Sequence, residues 1–388
     1  MSDTAAHKYP VDVCYMVADL KYNARDGVKI CEIQQASLSL FNGDMYRDVP
    51  EERSIHKELL RRLSSYNKYG WVVSDGIADH KLVSALANSA TWQNPKDLMA
   101  LFSDKEFRDS AKLPPTDPSD LSTYKGFLYM SWTKLSVIYD FETRLAGLAP
   151  IDKSSFPLWI DKYRMTRLFA EDKALADIKP KWGNYKKVYT KQLAGKIAKE
   201  LGGDTFVIKP RGNFMGKGVI IVQKQDLDET LRFIITKQGP LATREESAYR
   251  TWKYDTFDSF LVEAFITSDP IRLPHMENKR YQPTMRVAFL LIYNKGKHVV
   301  HFLGGYWKTP EVSLDDEGDF MEKNKDICEK PYYLAVDDET MSKVQTQLRA
   351  ALPILHSKML SFRPNTDEAF YAPAKKGMLQ ITLEPSSR

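Results

Sequence analysis

The sequence predicts an α/β fold with α+β subdomains, and three observations predict it. The chain opens with a strand hairpin before residue 45. Helical and strand patterns then alternate between residues 51 and 150. After Phe206, a glycine-rich loop joins one strand to another strand, with no helix following it. A chain of 388 residues exceeds one compact core and calls for two or three domains.

Each element follows from local pattern. Val11 to Val17 is apolar and rich in strand formers, Asn23 to Gly27 has turn chemistry, and Val28 to Ile33 is a second strand. This hairpin places Asp19 near one strand end and Glu32 in the other strand. Glu51 to Tyr66 carries Ile55, Leu59, Leu60 and Leu63 at helical spacing. Gly70 to Val73 reads as a strand, His80 to Leu101 as helix, Gly126 to Trp132 as a strand and Val137 to Leu148 as helix, with a proline-rich loop over Leu113 to Ser122. Helices are expected over Ile160 to Glu171 and Lys191 to Leu201, the second ended by Gly202-Gly203. Strands follow at Phe206 to Lys209, Val219 to Val222 and Phe260 to Glu263. Met285 to Tyr293 and His298 to Leu303 form a hairpin around Asn294-Lys295-Gly296. Leu314 to Lys330 reads as an acidic mobile loop, and Met341 to Leu360 as the last helix.

Composition narrows the function classes. Lys plus Arg exceeds Asp plus Glu by 56 − 51 = 5 over the whole chain, so no dedicated nucleic-acid binder is expected. Cys14, Cys31 and Cys328 are too few and too scattered for a disulfide framework or a zinc site, and they read as reduced thiols of a cytoplasmic protein. The N-terminus lacks the apolar core of a signal peptide, and the longest apolar run, Val287 to Tyr293, is too short to span a membrane.

The most informative stretch runs from Phe206-Val207-Ile208-Lys209-Pro210 through Arg211-Gly212-Asn213-Phe214-Met215-Gly216-Lys217-Gly218. Glycines let the backbone approach a phosphate, consecutive amides make an anion nest, and the strand lysine adds a fixed cation. The spacing is neither a Walker A loop nor a dinucleotide fingerprint, because a strand follows. Taken alone, the same residues also fit a plain hairpin with a flexible tip. Around the loop lie Asp161-Lys162-Tyr163 at a helix start, the strand Phe260-Leu261-Val262-Glu263-Ala264-Phe265-Ile266, and Met285-Arg286-Val287 at the start of another strand.

In that order these motifs resemble the ATP-grasp superfamily over residues 150 to 310. The resemblance implies two α+β subdomains that clamp ATP. It implies that Lys162 and Lys209 contact ATP and that Gly212, Gly216, Lys217 and Gly218 close over the phosphates. Glu263 and the backbone of Val262 and Phe265 would then hold adenine and ribose, with Arg286 stabilising charge on the transferred group.

It also implies Mg²⁺ held by carboxylates. Two stretches supply candidates. Glu384, in Leu383-Glu384-Pro385-Ser386, has the usual place in motif order. Asp19, Glu32 and Gln34 lie in the N-terminal hairpin, where Glu32-Ile33-Gln34-Gln35-Ala36-Ser37-Leu38-Ser39 is similar to a stretch of eukaryotic glutathione synthetases and to the metal hairpin of glutathionylspermidine synthetases. Both families are circularly permuted, and this copy is preferred, although Val17 and Ala18 stand where such families often place an arginine. The resulting expectation is an ATP-grasp fold, permuted, with a hairpin over 1–47, a small α/β domain over 48–150 and the clamp over 151–388. Its expected activity is ATP- and Mg²⁺-dependent joining of a small-molecule or peptide carboxylate to an amine through an acyl phosphate. A phosphotransferase acting on a hydroxyl and a non-catalytic nucleotide-binding protein remain alternatives.

Overall fold

The computed structural model describes residues 7–36, 55–73, 92–93, 105–130, 145–159, 161–212, 216–274, 276–325 and 333–363. Fifteen strands among them run, in chain order, β1 Asp12–Asn23, β2 Gly27–Gln35, β3 Gly70–Val73, β4 Trp92–Gln93, β5 Gly126–Met130, β6 Leu148–Pro150, β7 Trp182–Lys186, β8 Thr205–Pro210, β9 Ile220–Gln223, β10 Ser259–Ala264, β11 Ile271–Leu273, β12 Lys279–Tyr281, β13 Thr284–Asn294, β14 Lys297–Lys308 and β15 Tyr333–Ala335. They form a five-stranded sheet ordered β15-β14-β13-β1-β2, a four-stranded sheet ordered β7-β10-β8-β9, a parallel sheet ordered β4-β3-β5-β6 and the small pair β11-β12.

The five-stranded sheet is the centre. Its strands are antiparallel throughout, and β1, from the start of the chain, is inserted between β2 and β13. Residues alternate between faces along each strand. Val13, Tyr15 and Val17 share a core with Ala288 and Leu290, with Leu59 and Leu63 of the helix Ile55–Ser64, and with Phe127 of the parallel sheet. Cys14, Met16 and Ala18 face the other way, toward Met165 and Leu168 of the helix Lys162–Phe169 and toward Leu348, Leu352 and Leu355 of the helix Asp338–Ser361. The first of these cores therefore draws on residues from 11 to 306. The sheet ordered β7-β10-β8-β9 has a core of its own, in which Ile197, Leu231 and Trp252 pack on Phe206, Ile208 and Phe260.

Three local expectations are corrected. Within the segment read as helix over 80–101, Trp92–Gln93 is a short strand beside β3. The Trp92 ring lies over Gly70, where a Cβ would sit 2.6 Å from it, so the glycine opposite permits that approach. Within the segment read as helix to Leu148, residues 145–147 turn and Leu148 opens β6. The Gly147 amide is anchored on the Ala111 carbonyl and Leu148 pairs with Gly126, so the backbone is committed to a sheet edge. In the segment read as a mobile acidic loop, Phe320–Asn324 is helical. Asp319 and Glu322 form a reciprocal capping box there. The acids Asp315 and Asp316 are tied to Arg280 and Lys279. Of the third cysteine, Cys328, and of Glu384, both of which lie outside the described residues, nothing structural follows. No helix among the described residues is long and apolar enough to cross a membrane.

Leu348 is fully buried against the central sheet. Leu348→Ala is expected to lower unfolding stability by about 2–5 kcal/mol, read as a lower urea midpoint at unchanged slope.

Candidate functional site

A polar row crosses the central sheet. Glu32 of β2 lies opposite Asp19 of β1, and Asp19 lies opposite Arg286 of β13. Directly opposed residues place their side chains on one face. The alternation that buries Tyr15 and Val17 thus carries Asp19 onto the same face, beyond the apolar core. The Arg286 guanidinium donates to both Asp19 oxygens, at 2.7 and 2.6 Å. Lys308 adds a contact at 3.4 Å and the Gln34 amide another at 3.5 Å. Burial works to raise the Asp19 pKa, but Arg286 and Lys308 outweigh it and hold the carboxyl far below the usual range. Glu32 accepts from Lys162 at 2.7 Å.

Lys162 is placed by the glycine-loop segment. Asp161 caps the helix by accepting from the Tyr163 amide, and the Arg211 guanidinium grips the same carboxylate with two donors. The Lys162 amide in turn donates to the Arg211 carbonyl at 2.9 Å. The end of β8 and the helix carrying Lys162 are therefore locked together. Arg211 was not anticipated in this role; its place directly after Lys209-Pro210 was the available signal.

A second cluster sits on the neighbouring sheet. Glu263 of β10 accepts from Lys179 at 2.6 Å with one oxygen and from Lys209 at 2.6 Å with the other. Both ammonium groups also donate to the Cys31 backbone carbonyl, each at 3.0 Å. Cys31 precedes Glu32 on β2, so the two clusters adjoin, and the Glu32 charge acts on Lys209 as well. Burial would raise Glu263, but its two lysines pull it down. The lysines shift in opposite directions. Lys179, whose side chain is 3% exposed against 10% for Lys209, is lowered by burial. Lys209 feels burial too, but Glu263 and Glu32 raise it. Two cations share one carboxylate here, which leaves a site that favours an anion.

Lys179 escaped the sequence reading although a signal existed. Ile178-Lys179-Pro180 repeats the Ile208-Lys209-Pro210 tripeptide, and the two lysines converge on one acid. Lys308 lies in the stretch Gly304 to Pro310, which the sequence offers as acceptor-pocket lining or aromatic core, with no charged role assigned to it.

The remaining expected residues are placed as follows. Val262 is an interior residue of β10, paired with Gly183 on one side and Ile208 on the other, so its backbone belongs to the sheet. The Phe265 amide donates to the Thr205 carbonyl at 3.1 Å, and its ring meets Phe320. Gly216 and Gly218 have φ of +69° and +77°, the left-handed region that favours glycine. The Gly218 carbonyl accepts from the buried Trp252 indole at 2.8 Å, which anchors the loop's return. Gly212 lies against Phe257, and Lys217 is exposed. Residues 213–215, between them, lie outside the described residues.

No family model matches this sequence. No curated protein matches it either. Solved structures similar to it include D-cycloserine synthetase DcsG, at 12% identity and a TM-score of 0.35, over 74% of this chain and 82% of that one. The VanG D-Ala:D-Ser ligase of Enterococcus faecalis is similar at 14% identity and a TM-score of 0.38, over 76% and 82%. A RimK domain ATP-grasp protein of Sphaerobacter thermophilus is similar at 13% identity and a TM-score of 0.29, over 76% and 98%. These are remote likenesses, and the functional reading below rests on side-chain geometry.

The donors around Asp19 suit a hard divalent cation, since Asp19, Glu32 and the Gln34 side chain offer carboxylate and amide oxygens on one sheet face. The cations paired with them, Arg286, Lys308 and Lys162, suit phosphate or carboxylate oxygens.

Two outcomes follow. The native Asp19 pKa lies below its unfolded value, so the unfolded chain takes up the proton first as pH falls. Its stabilisation is present above about pH 4 and is lost on further acidification. Asp19→Asn should cost about 3–5 kcal/mol near neutrality, because two buried cations lose their partner. It should also flatten the acid limb of a urea-stability profile. Lys179, lowered by burial, loses its proton below the ordinary lysine range as pH rises. Affinity for tripolyphosphate should decline there, and Lys179→Arg should move the decline to higher pH, measured by calorimetric titration.

Proposed function

We propose that this chain is an ATP-dependent carboxylate–amine ligase of ATP-grasp type, with the strand order permuted so that the metal-bearing hairpin comes first. The observation that carries the proposal is the meeting of two complementary clusters at Cys31 and Glu32. Excess cationic charge at Lys179 and Lys209 stands on one side, and the Asp19–Glu32–Arg286 row stands on the other. Charge of both signs in a nearly dry setting is what a phosphoryl transfer needs, because such chemistry is mostly positioning and electrostatics.

In this reading Lys179 and Lys209 bind ATP phosphates, and Glu263 keeps the two ammonium groups apart and aimed. Lys162 reaches the phosphates from the side that Arg211 fixes, and the loop from Gly212 to Gly218 covers them. The adenine lies beyond the free end of β10, near Phe265. Asp19, Glu32 and Gln34 would hold Mg²⁺, which when bound neutralises phosphate charge. Arg286 and Lys308 would exchange part of their contact with Asp19 for oxygens of the acceptor carboxylate and the transferred group.

A carboxylate oxygen of the substrate attacks the γ-phosphorus of ATP, the bond to the β-γ bridging oxygen breaks, and ADP leaves with that electron pair. The amine nitrogen then attacks the acyl carbon. Inorganic phosphate departs with the acyl oxygen, and the nitrogen gives up a proton. No covalent bond to the protein forms. The hairpin over 1–47 and the clamp over 151–388 act together in this scheme, and Leu59, Leu63 and Phe127 of the segment 48–150 pack on the same face of the central sheet that carries the row.

The decisive assay is ADP release across panels of carboxylates and amines. Release that requires both, with an amide product by mass spectrometry, is expected. Release that requires only a hydroxyl acceptor, with a phosphorylated product, would replace the ligase reading by a phosphotransferase. Lys209→Ala and Glu32→Gln should each lower kcat/KM by about 10²-fold or more. Lys209→Ala should also weaken ATP binding, and unchanged ATP affinity in that variant removes the phosphate assignment.

A further inference from the structure

A second polar cluster lies at the other end of β1. Asp12 is seven residues before Asp19 on the same strand, roughly 23 Å away at the strand rise. It is therefore separate from the site above. Three donors converge on one Asp12 oxygen: His356 Nε2 at 2.9 Å, Ser154 Oγ at 2.7 Å and Cys14 Sγ at 3.2 Å. Cys14 Sγ and Ser154 Oγ are themselves 3.2 Å apart. Asp12, Cys14 and His356 each offer one ligand atom within 4.8 Å of the others, and all three are buried.

The hydrogen bonds do not account for the whole cluster. The second Asp12 oxygen, Oδ1, is buried and has no hydrogen-bond partner. An unsatisfied carboxylate oxygen in a dry setting is costly, and natural cores rarely keep one. Donors of three types gather on one Asp12 oxygen while the other is unused, and a cation held by the carboxylate, Cys14 Sγ and His356 Nε2 would satisfy the whole cluster.

We propose that Asp12, Cys14 and His356 form a structural zinc site, with the Ser154 hydroxyl at the fourth corner. The donor chemistry selects the ion. A thiolate and an imidazole beside a carboxylate suit Zn²⁺ and are poor partners for Mg²⁺. Ligand atoms around a tetrahedral zinc lie roughly 3.3–3.7 Å apart given the usual bond lengths. The 2.7–3.2 Å separations of the cluster would open by up to about 0.6 Å to reach that range. One thiolate and one carboxylate balance the dication, so the buried site is neutral once loaded.

The surroundings match a metal-bound histidine. His356 faces Asp12 with Nε2, and its Nδ1 lies 3.2 Å from Nδ1 of His298. Ligating imidazoles usually bond a second group through the other nitrogen, which fixes the ring.

The ligands also explain what the ion does. They come from β1, from the turn at residue 154 and from the helix Asp338–Ser361, 344 residues along the chain from Asp12. One ion would close very long loops and clamp the last helix onto the central sheet.

The test uses the full chain purified without chelator. It is expected to retain about one equivalent of zinc, and X-ray absorption should show one sulfur scatterer at about 2.3 Å. Cobalt substitution should give a thiolate charge-transfer band that disappears in Cys14→Ser and survives in Cys31→Ser. His298→Ala should weaken zinc affinity about 10–100-fold by releasing the His356 ring. Zinc should raise the melting temperature of the wild type, and a chelator should lower it. A zinc shell without sulfur, the absence of a stoichiometric ion after zinc loading, or a cobalt band unchanged in Cys14→Ser overturns the proposal. If Cys14→Ser fails to fold, the absorption spectrum of the wild type decides alone. None of these readouts involves ATP, so the result stands apart from the ligase reading.

Discussion

The structure turns on one buried contact, the approach of Lys179 and Lys209 to both Glu263 and the Cys31 carbonyl. It is where the sheet ordered β7-β10-β8-β9 touches the central sheet through polar groups. Desolvating three charges costs several kcal/mol per ion, and one carboxylate cannot offset two ammonium groups completely. Such a cluster is a weak source of stability. Its physical sense lies in what it prefers to bind, namely a group that brings negative charge and oxygen acceptors. The neighbouring contacts hold it in place. The Ile30 amide donates to the Ile178 carbonyl at 2.7 Å, which sets β2 against the segment carrying Lys179.

The register of the central sheet does the same for the second half of the site. Because β1 is inserted between β2 and β13, Glu32, Asp19 and Arg286 stand side by side. A slip of one residue would send Asp19 into the core with Met16 and Ala18. The apolar alternation of β1 therefore fixes the position of the acid beside Arg286 and Lys308, and these cations depress the Asp19 pKa against the opposing effect of burial. Packing and electrostatics are two results of one strand placement. The far end of β1 shows the same logic, with Asp12 and Cys14 brought to His356 by strand pitch and by docking of the last helix.

Much of this was legible in the residues. The N-terminal hairpin, the β13–β14 hairpin, the strand into the glycine loop and the capped start at Asp161 all follow from local pattern, and each is where the pattern puts it. Lys162, Lys209, Glu263, Glu32, Asp19 and Arg286 stand out in the sequence through the order of motifs that resembles the ATP-grasp superfamily and its permuted members. Less legible were elements whose state depends on a distant partner. Trp92 is extended because Gly70 leaves room for its ring, and Leu148 is extended because Gly126 receives it. Lys179 was hidden because a lysine before a proline looks like ordinary surface until its acid partner is known.

By itself, the sequence determined the alternation of faces, the turn positions and the chemical types available, since these depend on side-chain sterics and periodicity within a few residues. Tertiary structure alone decided which charges meet. Asp19 pairs with Arg286 across 267 positions, and Asp12 meets His356 across 344. Contacts that far apart are set by strand order and helix docking, and no local pattern carries that information. The pairing of two lysines with one glutamate, and the cationic excess it leaves, exists only once two sheets have been brought together.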